Sequence, residues 1–162
     1  HHTKLEAEAL LCEAAAQGGP HVRILRMSRC FPEPANLMAV FRLHRGIDAR
    51  DVADAHAAAL VHAGPAAATF VVSGATPFLR EDCQALHLDP QALLQQRAPR
   101  LVDAFRHRGW ALPTRIDRVY SAQQAMQALD WRPRYGFEEV LAQYDQHVPE
   151  VLPPGDGEPA RE

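Results

Sequence analysis

Only three cysteines, Cys12, Cys30 and Cys83, occur in 162 residues, widely spaced and without a CxxC pair. That excludes a disulfide-stapled scaffold and a cysteine zinc site, and it predicts reduced thiols in a cytoplasmic protein. Basic charge is not in excess: 17 Lys+Arg against 20 Asp+Glu give a net charge of −3. No overall basic excess therefore points to a nucleic-acid backbone, which leaves local patches open. No apolar run approaches the roughly 20 residues of a membrane span, and no charged region followed by an apolar one opens the chain as a secretory signal would. Neither GxGxxG nor GxxGxxG occurs, so the usual phosphate-cradling turn at a helix N-terminus is missing from these residues. Metal-ligand spacing is missing too. Asp48, Asp51 and Asp54 do not fit a calcium loop, and His56 and His62, six apart, do not share a helix face in the i, i+4 manner. What is present is 47% hydrophobic residues, enough for one domain around a sizeable core.

Hydrophobic spacing predicts an alternating chain. Leu5, Ala9, Cys12 and Ala16 recur at helical spacing over 3–17, with Thr3 as N-cap and Gly18-Gly19-Pro20 as the stop. His21 to Ser28 reads as a strand. Asn36 to Leu43 is a short helical or extended link, and Gly46 to Ala49 a short strand at best. Asp51 caps a second Ala-rich helix reaching about Ala63, and Thr69 to Ser73 is a buried-type strand. Short helices follow over 81–86, 90–96 and 101–107. A small strand is expected over 116–120, a helix capped by Ser121 to Leu129, and a last amphipathic helix from Phe137 to His147. The order helix, strand, helix, strand, helices predicts an α/β layer with parallel strands. Two or three strands are too few for a self-sufficient sheet, so part of the sheet is expected to lie elsewhere. The chain opens on His1-His2 without an initiator Met, as a cut product, a fragment or a tag remnant would. Pro149 to Glu162, rich in Pro, Gly and acid, reads as a solvated, flexible tail.

Several side chains carry possible chemistry. Arg26 and Arg29 flank the end of the first strand, where open α/β sheets bind ligands. Arg29 can clamp a carboxylate or phosphate, or simply pair with Glu33. Arg115 and Arg118 can reach an anion or lie on a solvated edge. Cys30 has no base tied to it by sequence and reads as a semi-buried filler. Lys4 can pair with Glu8 one helical turn on. Trp110 and Trp131 read as packing anchors.

Four segments, in order, carry a family resemblance over residues 3–145. Thr3-Lys4-Leu5-Glu6-Ala7-Glu8 resembles the end of a Tyr-x-x-x-Lys motif and its helix. Val22 to Arg26 followed by Ser28-Arg29-Cys30-Phe31-Pro32 resembles a strand and loop that close over nicotinamide and substrate. Gly46 to Ala53 resembles a Val-Asp-Val-x-Asp-Val-Ala segment. Val119-Tyr120-Ser121, Ala128 to Pro133 and Phe137 to Leu141 resemble a Leu-Gly-Trp-x-Pro ending. Together they resemble the C-terminal half of the extended short-chain dehydrogenase/reductases, the NAD-dependent epimerase/dehydratase family. Arg29 stands where that family carries Asn, Pro32-Glu33 where it carries Gly-Pro, and Asp130 where it carries Gly before the tryptophan.

The resemblance implies the C-terminal half of a doubly wound, Rossmann-like parallel sheet with a small, mostly helical substrate lobe, over 1–148, the glycine-rich half lying outside this chain. It implies an NAD(P)-dependent oxidoreductase, epimerase or dehydratase acting on a hydroxyl- or carbonyl-bearing substrate, sugars included, with NAD or NADP and no metal. Lys4 would be the motif lysine, lowering the pKa of a tyrosine one place before His1 and hydrogen-bonding the cofactor ribose. Ser28, Arg29, Cys30 and Phe31 would flank the cofactor, and Arg29 and Arg118 would hold substrate. The partners implied are a small-molecule substrate and either a second copy or the missing N-terminal half, with no nucleic acid and no membrane. Residues 1–162 alone are expected to be inactive. The alternative is a non-catalytic descendant of the same fold that senses cofactor or binds protein.

Overall fold

The computed structural model describes residues 2–155. The protein is mixed α/β. Helix α1 (His2–Ala16) is built almost entirely of strong helix formers. It stops where Gly18 takes φ +89°, a left-handed backbone that only glycine adopts freely. Strand β1 (Val22–Met27) then pairs in parallel with β3 (Ala67–Val72), in the register Val22 with Ala67 through Met27 with Val72. This sheet has two strands, so the edge of β1 away from β3 has no strand beside it among the described residues. Between the two strands run β2 (Glu33–Pro34), α2 (Ala35–His44) and α3 (Ala49–Leu60). After β3 come a single 3-10 turn (Arg80–Asp82), α4 (Cys83–Leu88), α5 (Pro90–Arg97), α6 (Pro99–Arg108), α7 (Gln123–Ala128), α8 (Phe137–Asp145) and β4 (Val151–Leu152). Among the described residues no helix is long and apolar enough to cross a membrane.

Two cores form. One packs α3, α7 and Trp131 on the sheet through Ile47, Ala55, Ala59, Phe70, Val72 and Ala125. The other is helical, gathering α2, α4, α5, α6 and α8 around Leu94, Leu101, Phe105 and Val140. Helix α2 is central to it. The sequence left 36–43 as a helical or extended link, but nine of the ten α2 residues are buried. A helix buried on all sides, polar residues Asn36, Arg42 and His44 included, shows no single apolar stripe, and its pattern is therefore ambiguous in the sequence.

The other departures have local causes. Thr3 lies inside α1, which begins at His2. Asp48, not Asp51, caps α3, its side chain accepting from the Arg50 N–H at 3.0 Å. The expected strand at 46–49 reduces to one bridge, Arg29 with Gly46. The expected strand at 116–120 does not form. Its N–H groups serve two helix ends instead, Ile116 donating to the Leu86 carbonyl and Tyr120 to that of His44. Of the expected tail, residues 149–155 include a docked segment: β4 pairs in parallel with β2, Val151 is buried, and Asn36 hydrogen-bonds both the N–H and the carbonyl of Gly155. Residues 156–162 lie outside the described residues.

Asp51 is fully buried in the first turn of α3 and serves a distant loop. Its Oδ1 accepts from the Arg134 N–H at 2.8 Å and its Oδ2 from the Tyr135 N–H at 3.0 Å. The loop so held follows Asp130, at φ +46°, and the buried Trp131, and it leads into α8. Asp51→Ala leaves two part-buried N–H donors without their acceptor, each costing up to about 1–3 kcal/mol when unpaired. We predict a loss of roughly 2–4 kcal/mol of stability, read as a lower urea midpoint at unchanged slope; a loss below about 0.5 kcal/mol would show that the loop is held by other contacts.

Candidate functional site

The carboxyl ends of β1 and β3 are knit together by backbone contacts. Ser28 N–H donates to Val72 O at 2.9 Å, Arg29 N–H to Arg45 O at 3.1 Å, Ile47 N–H to Arg29 O at 2.9 Å and Gly74 N–H to Gly46 O at 2.9 Å. The approach is close: a Cβ on Gly74 would lie 2.8 Å from the Gly46 carbonyl oxygen. On this floor stand the expected residues Ser28, Arg29, Cys30 and Phe31. Ser28 is buried, and its Oγ has no hydrogen-bond partner among the described residues. A buried hydroxyl without a partner is uncommon and costly, and it sits where open parallel sheets bind ligands. Cys30 is half-buried and Phe31 is about half exposed.

Lys4 belongs to the same end of the sheet. Helix α1 returns into β1 through a tight glycine turn, so it runs back along the strand. Glu8 pairs with Arg26, near the end of β1, at 2.6 Å. That pair takes the carboxylate that Lys4 could have used one turn on. Lys4 lies one further turn toward the helix start, beyond Glu8. It is exposed and makes no ion pair among the described residues.

Arg29 and Arg118 come into one charged cluster. Arg29 pairs with Glu33 through two nitrogens, Nε lying 3.0 Å from Oε1, and it stacks over Phe31 and Phe41. Arg118 pairs with its neighbour Asp117 at 2.7 Å. Between them stands Arg45, which the sequence did not single out. Its guanidinium lies 4.4 Å from the Phe41 ring centre, and its buried Nε has no hydrogen-bond partner among the described residues. Burial lowers the Arg45 pKa. Asp117 and Glu33 act against that shift, and Arg29 and Arg118 add to it. Among the described residues, the guanidiniums of Arg29, Arg45 and Arg118 and the carboxylates of Glu33 and Asp117 form one cluster, and guanidiniums are suited to holding an anion.

The Asp48 neighbourhood is structural. Asp48 accepts from Arg50 Nε at 2.8 Å and from the buried Arg42 Nη2 at 3.3 Å. Burial opposes the Asp48 charge, but Arg50 and Arg42 together hold its pKa below the usual range. With Asp51 turned to backbone N–H groups, these carboxylates are spent on protein partners. A cleft of about 470 Å³ opens nearby, lined by Gly74–Pro77, Arg97–Arg100 and Pro133–Glu138. None of Lys4, Ser28, Arg29, Cys30, Phe31 and Arg118 lines it. Its arginines are each matched by a carboxylate: Arg42 by Asp48, Arg97 by Asp82, Arg100 by Glu138 and Arg134 by Asp54. Among the described residues, Ser28 Oγ and Arg45 Nε are buried without a hydrogen-bond partner, as are Arg23 Nε, Arg42 Nε and Trp131 Nε1. Arg115, the other arginine of the 115–118 stretch, is exposed and donates to His87.

No family model matches the chain, and neither a curated protein nor a solved structure does.

His44 fixes one wall of the cluster. Its Nδ1 lies 2.9 Å from the Arg118 carbonyl, and its own carbonyl accepts from Tyr120. Burial pushes its pKa down to about 4, against the pull of the Arg118 carbonyl, with Arg45 adding to the shift. In the unfolded chain it titrates near 6.5. The unfolded state therefore binds the extra proton between these values, and stability present above pH 6.5 is lost as pH falls toward 4. The loss approaches about 3 kcal/mol. In His44→Phe the slope of stability against pH in that window should fall by up to about 1.4 kcal/mol per pH unit. Parallel stability–pH curves for the two proteins would contradict this.

Proposed function

We propose that this chain is the C-terminal half of an NAD(P)-dependent oxidoreductase of the epimerase/dehydratase type, in a Rossmann-like sheet, acting on an anionic substrate that carries a hydroxyl or carbonyl. The observation that supports it most is the placing of an unpaired Lys4 at the same sheet end as the orphaned Ser28 hydroxyl and the arginine cluster. A lysine held beside Glu8 would have spoken against the reading. Three further features agree with it. The free edge of β1 can take the next strand of a parallel sheet. The left-handed backbone of Asp130 falls where the family has glycine, the residue that adopts it without strain. Asp51 joins two of the resembling segments, Gly46–Ala53 and the Trp131-x-Pro133 ending.

The residues fit a nicotinamide dinucleotide, whose chemistry when bound is to accept or give a hydride. Lys4 would donate to a ribose hydroxyl and, by its charge, favour the phenolate of a tyrosine one turn earlier. That phenolate would take a proton from the substrate hydroxyl, and in the reverse direction the protonated tyrosine would give one to the carbonyl oxygen. Ser28 offers its free hydroxyl to cofactor or substrate, and the half-exposed Phe31 shields the site from water. Arg45 and Arg118 would hold the substrate's anionic group, with Arg29 fixed at their edge by Glu33.

The second reading, a non-catalytic descendant, draws on Arg29. It stands where the family carries Asn, and its guanidinium is engaged by Glu33 and two rings. The coding sequence just upstream of His1 separates the two readings. The enzyme requires a tyrosine codon directly before His1 and a strand–glycine-rich turn–helix unit further upstream; without them the enzyme reading fails. In the protein that includes this segment, Lys4→Ala should lower kcat by at least about tenfold and weaken cofactor binding, since it removes both a charge and a donor. Unchanged values for both would reduce Lys4 to a surface residue.

A further inference from the structure

We propose that the 470 Å³ cleft between the loop after β3 and the starts of α6 and α8 is a second binding site, for a small organic anion with one phosphate or carboxylate group on an apolar body. The inference is independent of the cofactor reading, because none of the residues assigned above to cofactor or substrate lines this cleft.

Two helices begin in the wall of the cleft. Ala98, Pro99 and Arg100 are the N-cap and first two residues of α6, and Gly136, Phe137 and Glu138 are those of α8. Among the described residues no side chain caps either start. A helix start left in this way offers unmet backbone N–H groups and the positive end of its dipole, and the two together hold anions. The buried Arg42 adds an independent demand. It lines the same cleft, its side chain is only 3% exposed, and its Nε has no hydrogen-bond partner among the described residues. Asp48 reaches only its Nη2, at 3.3 Å. Burial lowers the Arg42 pKa against the pull of Asp48 and Asp51. A buried donor without an acceptor is costly, and an anion entering the cleft would reduce that cost.

One ion pair at the mouth is exchangeable. The side chain of Arg100 is 80% exposed and meets the half-exposed Glu138 at 3.2 Å. An exposed pair of this kind contributes little, so Arg100 can leave Glu138 for a ligand. Glu138 is then the competitor of that ligand. Its Oε2 would lie 3.1 Å from a Cβ on Gly136, so its carboxylate folds back over the start of α8. The rest of the wall is apolar: Leu43 and Phe137 are buried, and Pro77 and Tyr135 half-buried. Such a wall favours a ring or short aliphatic body over a bare inorganic ion.

Phenyl phosphate is the probe and inorganic phosphate its comparison, each titrated at low ionic strength into the isotope-labelled protein and followed by amide chemical shifts. The proposal expects shifts to move in residues 74–76, 100–101 and 137–139, and phenyl phosphate to bind about fivefold more tightly than inorganic phosphate. Arg100→Gln should weaken phenyl phosphate by about 3- to 10-fold, and Glu138→Gln should tighten it by about 2- to 5-fold. Both side chains lie at the exposed mouth, so neither substitution disturbs the core. Ala75→Phe, filling the cleft from an exposed position, should remove binding. Shifts confined to 28–31 and 44–47 would assign the probe to the arginine cluster and overturn the second site, while leaving the cofactor reading untouched. Absence of saturable binding would overturn it as well. Equal affinity for the two phosphates, or a change of the same sign in Arg100→Gln and Glu138→Gln, would also contradict the proposal.

Discussion

The buried carboxylate of Asp51 is the constraint on which the rest of the molecule depends. It lies in the first turn of α3, with no exposure, and both oxygens are used by the backbone of Arg134 and Tyr135. A buried carboxylate is tolerated only when its lone pairs are satisfied, so α3 and the loop before α8 must meet in one geometry. Asp48, three residues earlier, repeats the device with Arg42 and Arg50. Arg50 continues it by pairing with Glu139 of α8 at 2.7 Å and lying over the Tyr135 ring at 3.6 Å. The sheet layer and the helical lobe are thereby joined by charged groups instead of a continuous apolar core.

That joint fixes the floor on which the candidate site stands. Helix α2, buried on all sides, ends at His44 and Arg45, and its position is set by Arg42 reaching Asp48. From its last turn, the Arg45 carbonyl receives the Arg29 N–H and the His44 imidazole holds the Arg118 carbonyl. The arginines of the cluster are thus positioned by backbone contacts remote from their guanidiniums. Their side chains are left to meet charge, and Phe41 gives two of them an aromatic face. Arg42 also lines the 470 Å³ cleft, whose arginines are each paired with a carboxylate of the protein.

Much of the fold was legible where the pattern was periodic or punctuated. The parallel strands were visible as short β-branched runs, and α5 and α6 begin at Pro90 and Pro99, as prolines at a first helical turn do. What was not legible depended on partners distant in sequence. Asp51 reads from the sequence as a helix cap, and only the fold shows that it faces residues more than 80 positions away. Arg45 carried no signal, because its significance comes from Phe41, Arg29 and Asp117 converging on it. Val151 and Leu152 are too short a run to announce a strand, yet β2 offers them an edge. Arg29 and Arg118 both act on the charge of Arg45, a convergence that no spacing in the sequence indicates.

The central claim is that the carboxyl ends of β1 and β3 form the binding face. Amide hydrogen exchange in the protein that includes its upstream segment, compared with and without NADH or NADPH, tests this most directly. The account predicts added protection concentrated in residues 22–31 and 73–75, with little change in α5, α6 and the cleft residues Pro133–Glu138. Protection confined to the cleft, or none in this chain while the cofactor is bound, would contradict it.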